Sequence, residues 1–323
     1  MRAAWAHPWV EGVITEEPVL LIVGSYRCGT TSLFDYLAAH PALRPSIIKE
    51  PGFFFSERWA AQPSFYPPGE EARAYLRMFR GGKGGLRMEA TSNYLHDPGC
   101  AERIRAALPN ARIVVTLRAP AERLLSWYNF LRFQGWLPAK VDFARYVARQ
   151  LEDPRPEGER PYLDRAVAHG HYGRYLEDYV SVFPAAQRRV LWQEDLAADP
   201  RGTMVALAEF LDIDPAPFAR RAYPVSNPAR RIARRRLFRA YRRLNQALLR
   251  PFDLRPWWRF HARNWFFGVI EPWLLPLFTA PATPVAAPPE LLDTLRRDYA
   301  TDLDRLGRLV GAPPPWRDRY LAA

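Results

Sequence analysis

Cysteine, lysine and long apolar runs are all scarce in this chain of 323 residues. Two cysteines are too few for a disulfide framework, so a hydrophobic core must hold the fold together. The apolar run at 19–23 is far shorter than the roughly 20 residues of a membrane-spanning helix. The N-terminal segment also lacks the apolar stretch of a secretory signal, so we expect a cytoplasmic protein with free thiols.

Positive charge is concentrated in one segment. The formal net charge is +12, but residues 230–263 alone contain 12 arginines and a single acidic residue, Asp253. The rest of the chain is therefore close to neutral. The high isoelectric point describes one segment and does not indicate a general nucleic-acid-binding surface.

Apolar runs and helical periodicities alternate through the first two-thirds of the sequence. The predicted strands are VLLIV (19–23), GLRMEAT (85–91), RIVVTL (112–117) and RRVLWQ (188–193). The predicted helices include 30–40, 101–108, 120–133 and 200–211. This alternation predicts an α/β fold with a P-loop-like parallel sheet flanked by helices.

Composition divides the chain into three regions. Residues 15–214 carry the strand and helix signals and form the predicted α/β core. Residues 215–289 are rich in arginine, tryptophan and proline without a strand signal, which predicts an inserted helical segment. Residues 290–323 return to a helical period and predict a C-terminal helix that packs back on the core.

The segment GSYRCGTTS (24–32) joins the first predicted strand to the first helix, where α/β folds bind phosphate groups. The free N–H groups and the dipole of a helix N-terminus favour an anion there. Arg27 adds a positive charge. The first turn of the helix contributes the hydroxyls of Thr30, Thr31 and Ser32.

Comparison with the Walker A loop separates two classes of phosphate chemistry. Gly24 and Gly29 have the Walker A spacing, but Thr30 stands at the position of its lysine. Arg118 follows the strand 112–117, where a Walker B aspartate would hold Mg²⁺. The sequence therefore predicts phosphate binding without a metal. It disfavours the alternative of an ATP-dependent kinase or NTPase.

A second phosphate-binding pole is predicted beyond the strand 112–117. Ser126 lies on the following helix, which can turn its hydroxyl back toward Arg118. A nucleotide with phosphates at both ends of its ribose would occupy this pole and the loop 24–32 together. The nucleotide 3′-phosphoadenosine 5′-phosphosulfate (PAPS) has that structure.

Three segments in this order resemble the PAPS-dependent sulfotransferases, in particular the heparan-sulfate type and its bacterial relatives. They are GSYRCGTTSL (24–33), KEPGFFF (49–55) and RIVVTLRAPAERLLSWY (112–128). The resemblance implies in-line transfer of a sulfuryl group from PAPS to a hydroxyl or amine, with no metal. A carbohydrate or glycolipid is the expected acceptor.

The resemblance also assigns roles to individual residues. Glu50 is the expected catalytic base, Lys49 beside it is a second catalytic candidate, and Arg27 stabilises the leaving phosphate. Phenylalanines at 53–55 would raise the pKa of Glu50 by burial, while Lys49 would oppose that shift. His96, after the second predicted strand, is the rival base.

Cofactor contacts are expected from the whole first loop, including Cys28 and Gly29, and from the second motif. Tyr172 joins this set through a weaker match at 169–184. A helix N-terminus lowers the pKa of a thiol, which makes Cys28 a candidate reactive cysteine. The alternative is that Cys28 is a small space-filling residue.

The sequence departs from the family pattern at two positions. The family places a basic loop before the C-terminal helix to cover the 3′-phosphate, but 279–289 has no basic residue. Either the arginines at 230–236 replace that loop or the cofactor is held differently. Ala90 stands where the family has a lysine, which puts a substrate contact in doubt.

The arginine-rich segment leaves several interpretations open. A basic helix at 230–252 precedes the aromatic residues Trp257, Trp258, Trp265, Phe266, Phe267 and Trp273. This combination fits a membrane interface, a groove for an anionic glycan, or a solvated helix packed on the core. We expect an acceptor near a membrane, with peripheral contact through 230–278 at the inner face. A basic membrane- or nucleic-acid-binding module with a lapsed nucleotide pocket is the alternative for the whole chain.

Overall fold

A five-stranded parallel sheet forms the centre of the computed structural model. Its spatial order is β2-β3-β1-β4-β5. These strands are β1 (Val19–Gly24), β2 (Leu43–Pro45), β3 (Leu86–Ala90), β4 (Arg112–Leu117) and β5 (Arg188–Trp192). The structure describes residues 12–56, 66, 69–79, 84–138, 140–152, 165–223, 230–249, 271–281 and 285–323.

Helices connect the strands and cover both faces of the sheet. Those of the first 223 residues are α1 (Thr30–Leu37), α2 (Glu71–Arg77), α3 (Cys100–Ala107), α4 (Pro120–Gln134), α5 (Phe143–Glu152), α6 (Tyr172–Val182), α7 (Gln193–Ala198), α8 (Pro200–Leu211) and α9 (Ala216–Ala219). The remainder has α10 (Arg235–Leu249), α11 (Glu271–Phe278), α12 (Pro289–Ala300), α13 (Leu303–Val310) and α14 (Arg317–Leu321). The predicted α/β fold is therefore confirmed.

The central strand β1 separates two hydrophobic cores, because side chains alternate between the faces of a strand. Leu20 and Ile22 point into one core, which α1 and α8 cover. Val19, Leu21 and Val23 point into the larger core, which α3, α4, α6 and the C-terminal helices cover. All of β1 is buried, as expected for a parallel strand with helices on both sides.

Three details of the fold differ from the sequence-based expectations. The strand β2 was not predicted, since its three residues give no periodicity. The segment 215–289, expected to lack strands, contains β6 (Arg230–Ile232) paired antiparallel with β7 (Thr279–Pro281). The expected single C-terminal helix is divided into α12, α13 and α14.

An ion-pair network attaches the C-terminal helices to α4. Arg296 of α12 donates to Glu122 at 2.9 Å, and the Tyr320 hydroxyl donates to the other oxygen of Glu122 at 2.9 Å. The same hydroxyl accepts a hydrogen bond from the backbone N–H of Ala121. Since α4 carries Ser126, this network fixes a helix of the candidate site.

The segment 215–289 also contacts α4, through its strand β6. The backbone N–H of Val285 donates to Asn129 of α4 at 3.1 Å. None of the helices described is both long enough and apolar enough to cross a membrane. The Trp257–Phe267 aromatic cluster singled out in the sequence lies outside the described residues.

Candidate functional site

Three loops meet at the carboxyl edge of the sheet. In the spatial order, β1 lies between β3 and β4, although neither neighbour directly follows it in the chain. Ligand crevices of α/β sheets form at such switch points. The loop 25–29 follows β1, Arg118 follows β4, and the N–H of Glu50 donates to the carbonyl of Ala90 at the end of β3. The three segments that carry the family resemblance therefore lie at the same edge of the sheet.

Close packing shapes the loop after β1. Gly24 has a φ of 136°, and a Cβ there would lie 2.3 Å from the carbonyl oxygen of Thr116 on β4. Only glycine allows this approach. Gly29 caps α1 in the left-handed conformation without a side-chain hydrogen bond to the first turn. The N–H groups of that turn therefore lack a side-chain cap, as expected at an anion-binding helix terminus.

Two arginines lie together over this loop. Arg27 Nε donates to Ser126 Oγ at 3.2 Å, and Arg118 Nη1 donates to the carbonyl oxygen of Arg27 at 3.4 Å. Burial and the neighbouring charge of Arg118 both lower the pKa of Arg27. Neither guanidinium forms an ion pair with a carboxylate in the part of the chain that the structure describes.

This arrangement differs from the two separate poles expected from the sequence. Arg27 leaves the loop and contacts Ser126 of the second motif, so the two motifs form a single cationic cluster. Arg27 also lies over the Phe130 ring, 5.2 Å from its centroid. Two adjacent cations that form no ion pair with another described residue are a suitable binding site for phosphate or sulfate groups.

Glu50 is exposed at the same edge of the sheet. Its Oε1 accepts hydrogen bonds from Lys49 Nζ at 2.8 Å and from Ser92 Oγ at 3.2 Å. Partial desolvation raises its pKa, but the Lys49 ammonium and the Ser92 hydroxyl outweigh that effect and the net pKa is lowered. The expected upward shift from the phenylalanines is therefore wrong, because Lys49 pairs directly with the carboxylate.

Backbone strain coincides with two of the candidate residues. Among the described residues other than glycine, Arg27, Glu50 and Asp212 have a positive φ, of 67°, 64° and 57°. Asp212 is the C-cap of α8, a common place for this conformation. Arg27 and Glu50 instead lie in the loops at the sheet edge. Strain of this kind concentrates at functional sites.

Cys28 and Tyr172 lie beneath the loop. Cys28 is fully buried, and burial raises its pKa to about 11. Its Sγ lies 4.0 Å from the Tyr172 hydroxyl, and Tyr172 is itself buried. The predicted reactive thiol is therefore wrong, because desolvation overcomes the helix N-terminus. The geometry fits the alternative of a space-filling residue.

His96, the rival base, is also buried beneath the loop. Its Nε2 shares a hydrogen bond with Ser25 Oγ at 3.0 Å, and its ring stacks on that of His169 at 4.2 Å between centroids. His169 Nδ1 in turn lies 3.2 Å from the Tyr26 hydroxyl. Burial lowers the pKa of both histidines well below its usual value. Neutral, buried imidazoles here support the loop residues Ser25 and Tyr26.

A fully buried cation was not anticipated from the sequence. Arg123 of α4 has no exposed surface, lies 4.8 Å from the centroid of the Tyr26 ring and donates to the carbonyl of Ala166. Its neighbours Leu124 and Trp127 are buried on the same helix. The sequence feature that could have revealed Arg123 is its position on an apolar helical face. Periodicity alone cannot show what it contacts.

Glu89 was also missed, and it organises the segment that carries Glu50. This completely buried carboxylate accepts hydrogen bonds from Tyr75 at 2.9 Å and Thr91 at 3.0 Å. Thr91 Oγ1 accepts the N–H of Gly52 at 3.4 Å. The ring of Tyr75 packs on Phe53. Glu89 therefore links β3 to the turn immediately after Glu50.

Burial raises the pKa of Glu89 to about 7, against an ordinary value of 4.5, although its hydrogen bonds oppose the shift. Below pH 4.5 the group is protonated in both the folded and unfolded states. Between pH 4.5 and 7 the unfolded state ionises first, so stability falls as the pH rises. At 1.36 kcal/mol per pKa unit, the loss amounts to about 3 kcal/mol.

We therefore expect Glu89→Gln to remove this contribution. The free energy of unfolding, measured in urea from pH 4 to pH 8, should decline less for the variant than for the wild type. The difference between the two curves isolates Glu89, since all other titrating groups are shared. Parallel curves would contradict the assigned shift.

The described residues contain no group of three histidine, cysteine, aspartate or glutamate side chains that could hold a metal ion. Arg118, where an NTPase would have a metal-binding aspartate, lies against the loop that follows β1. The site as described consists of cations, hydroxyls, backbone N–H groups and one exposed carboxylate.

Comparison with known proteins adds an independent finding. A family model described as "Sulfotransferase domain" matches residues 17–247. The human bifunctional heparan sulfate N-deacetylase/N-sulfotransferase 2 is 27% identical over 208 residues, which cover 61% of this chain and 22% of that protein. The corresponding Drosophila melanogaster protein is also 27% identical, over 61% of this chain and 20% of its own length. The chain thus spans about a fifth of these curated relatives.

A solved structure matches nearly the whole chain. The crystal structure of a sulfotransferase from Alicyclobacillus acidocaldarius superimposes with a TM-score of 0.63 and 25% sequence identity. The match covers 95% of this chain and 100% of that one. The similarity therefore extends beyond the sheet into the C-terminal region.

Proposed function

Because the chain belongs to the sulfotransferase domain family, we propose that it transfers a sulfuryl group from PAPS to a hydroxyl or amine. The observation that carries this proposal is the pair of cations, Arg27 and Arg118, held over the loop after β1 without a direct ion pair to a carboxylate among the described residues. A structural arginine buried to this extent would ordinarily pair with an acid. This pair is available to an anionic ligand.

The donor set fits a nucleotide with phosphate groups at two positions. The uncapped first turn of α1 offers N–H groups, and Thr31 and Ser32 stand partly exposed in that turn. Ser126 and Arg118 belong to the other motif. When bound, PAPS provides the sulfuryl group and a 5′-phosphate leaving group. The chain's own residues hold those charges and orient the acceptor, as in phosphoryl transfer.

Glu50 is the proton acceptor in this proposal. Its carboxylate is exposed at the sheet edge, and the lowered pKa keeps it ionised at neutral pH. An ionised carboxylate can take the proton of an acceptor hydroxyl or amine. Lys49 holds the carboxylate orientation through their hydrogen bond, and it adds a positive charge beside the acceptor.

The acceptor class is proposed from the relatives. The human and fly proteins are named for N-sulfation of heparan sulfate, which is a carbohydrate. We propose a carbohydrate or glycolipid acceptor for this chain. An acceptor hydroxyl and an acceptor amine both suit a carboxylate base.

Residues near β6 are the proposed cover for the 3′-phosphate. The segment 279–289 lacks a basic residue. Its strand β7, however, pairs with β6 (Arg230–Ile232), which contains two arginines. The contact between β6 and α4 brings this strand to the helix that carries Ser126. This placement supports the interpretation that the arginines at 230–236 replace the basic loop of the family.

Calorimetric titration with 3′,5′-adenosine bisphosphate (PAP), the product left by PAPS, tests the proposal. We expect PAP to bind without added metal, and Arg118→Ala to weaken that binding by about 10- to 100-fold through loss of a charge-assisted contact. The exposed Arg145→Ala on α5 is the matched control and should bind PAP like the wild type. Binding of ATP with Mg²⁺ in place of PAP would overturn the proposal in favour of a kinase or NTPase.

A further inference from the structure

One side of the helix α10 is buried. Phe238, Tyr241 and Asn245 are buried, at the three- and four-residue spacing of one helical face. Tyr241 stacks on Phe278 of α11 with 5.2 Å between ring centroids, and the N–H of Ala233 donates to the carbonyl of Phe278. Together with β6 and β7, these contacts make α10 and α11 one unit with its own small core.

A second apolar face of α10 is exposed. Leu237 and Leu244 lie two helical turns apart and are 51% and 60% exposed. Ala240 lies between them on the same face, Ala247 follows Leu244 by about one turn, and both alanines are also exposed. An apolar helical stripe normally packs against the core. In α10 the side that packs against the core is the one with Phe238 and Tyr241, and this second stripe is left exposed.

The neighbouring helix α11 adds to the exposed apolar surface. Trp273 is 81% exposed and Leu277 is 55% exposed, one helical turn apart. These are large side chains. A single exposed apolar side chain is common on a protein surface, but a group of them is not. Here they occur on two helices that share one core.

Exposed arginines accompany the exposed leucines. Arg236 and Arg243 are exposed, and each is the immediate neighbour of Leu237 or Leu244 along the helix. The stretch 230–249 contains no acidic residue. An apolar stripe next to arginines, in a segment without acidic residues, is the arrangement of a helix that lies in a membrane interface.

We propose that this surface binds an anionic lipid bilayer. We call it the arginine–leucine surface and define it by Arg236, Leu237, Arg243, Leu244, Trp273 and Leu277. The leucines and the tryptophan enter the boundary between headgroups and acyl chains, while the arginines contact anionic headgroups. The inference does not depend on sulfuryl transfer, because it rests on the exposure and charge of α10 and α11.

The chemistry of the surface argues for a bilayer over other partners. A nucleic acid would contact the arginines but would leave the leucines and Trp273 without a favourable environment. A second copy of the chain, in a symmetric dimer, would bring the same arginines together. An anionic bilayer complements both the charge and the apolar stripe.

Co-sedimentation with vesicles tests the proposal on the full chain. Vesicles of equal parts phosphatidylcholine and phosphatidylglycerol should sediment the protein at low salt, and vesicles of phosphatidylcholine alone should retain much less. Arg236→Gln with Arg243→Gln should lower the partition coefficient by roughly 30-fold, since each arginine near an anionic surface contributes about 1 kcal/mol. Added salt should also weaken the binding of the wild type to the anionic vesicles.

Leu237→Ser with Leu244→Ser isolates the apolar contribution. We expect this pair to lower partitioning by about tenfold or more at unchanged charge, through lost burial of two leucine side chains. The matched control is Arg145→Gln with Arg149→Gln on α5, where both arginines are exposed and the change in net charge is equal. The control should partition like the wild type, and all variants should retain the thermal unfolding midpoint of the wild type. The leucine pair and the α5 control should also retain the PAP affinity of the wild type.

Several outcomes would overturn the inference. One is wild-type protein that stays in solution with the anionic vesicles at low salt. Another is an equal loss in the α5 control, which would show a general charge effect. A third is unchanged sedimentation of the Leu237→Ser, Leu244→Ser variant. That result would mean that the contact is purely electrostatic, as with a nucleic acid. A dimer in analytical ultracentrifugation that the leucine pair dissociates would make a second copy the occupant.

Discussion

Replacing Glu50 with glutamine should lower kcat by about 10²- to 10⁴-fold, the usual contribution of a general base. Glutamine keeps the size and much of the hydrogen bonding to Lys49 and Ser92 but cannot accept the acceptor's proton. The affinity for PAP should stay unchanged, because the proposed role of Glu50 is to take the proton of the acceptor and not to bind the cofactor. Steady-state kinetics and PAP titration of the same preparation separate these effects.

The exposed Glu290→Gln on α12 is the matched control and should retain wild-type turnover. Full activity of Glu50→Gln would remove Glu50 from the role of base. Loss of PAP binding in that variant would instead indicate a structural role for Glu50 in the cofactor site.

The pH profile gives a second readout for Glu50. Lys49 and Ser92 hold the pKa of Glu50 below its usual value, so the acid limb of kcat/KM should lie below the range of an ordinary glutamate. Lys49→Met removes the attraction that stabilises the ionised form and leaves the desolvation in place. Its acid limb should therefore move to higher pH. An unmoved limb would show that another group controls the profile.

Replacing Arg27 with alanine is the second large expected effect. Loss of one group that stabilises developing charge typically lowers kcat by about 10²- to 10³-fold. The effect on kcat should exceed the effect on PAP affinity, because the proposed contact strengthens as charge develops on the leaving phosphate. Arg27→Lys should recover part of the lost turnover, since it restores the charge without the planar donor geometry.

Ser126→Ala separates positioning of Arg27 from its charge. This variant removes the hydrogen bond at 3.2 Å but keeps the guanidinium. We expect a smaller loss of turnover than in Arg27→Ala. Equal losses would mean that the serine itself carries the effect, and unchanged turnover in Arg27→Ala would remove the arginine from the transition state.

Local sequence patterns were sufficient for most of the fold. β4 and α8 have the bounds that periodicity predicted, since a run of β-branched residues and a proline at the first helical position are strong local signals. Gly24 and Gly29 likewise marked the loop between β1 and α1 by their spacing. The strand β2 and the pair β6 and β7 were missed, since three residues are too few to show a period.

Contacts between distant residues were not predictable in this way. Arg27 and Ser126 are separated by 99 positions in the chain, and the sequence placed them at opposite poles. The pKa of Cys28 was expected to fall because of the helix, yet burial under the loop raised it. Burial depends on what packs above a residue, and no local pattern contains that information.

The sequence by itself determined the class of fold, the loop between β1 and α1, the segments that meet at the sheet edge and the family to which the chain belongs. Hydrophobic period, glycine spacing and motif order are local properties, so they can be read along the chain. Only the tertiary structure decided that the two arginines form one cluster, that Glu50 pairs with Lys49 and Ser92, and that His96 is buried. It also revealed Glu89 beneath the Glu50 turn and the second, exposed face of α10. These properties arise from packing between segments far apart in sequence, where desolvation and neighbouring charge decide which groups face a ligand.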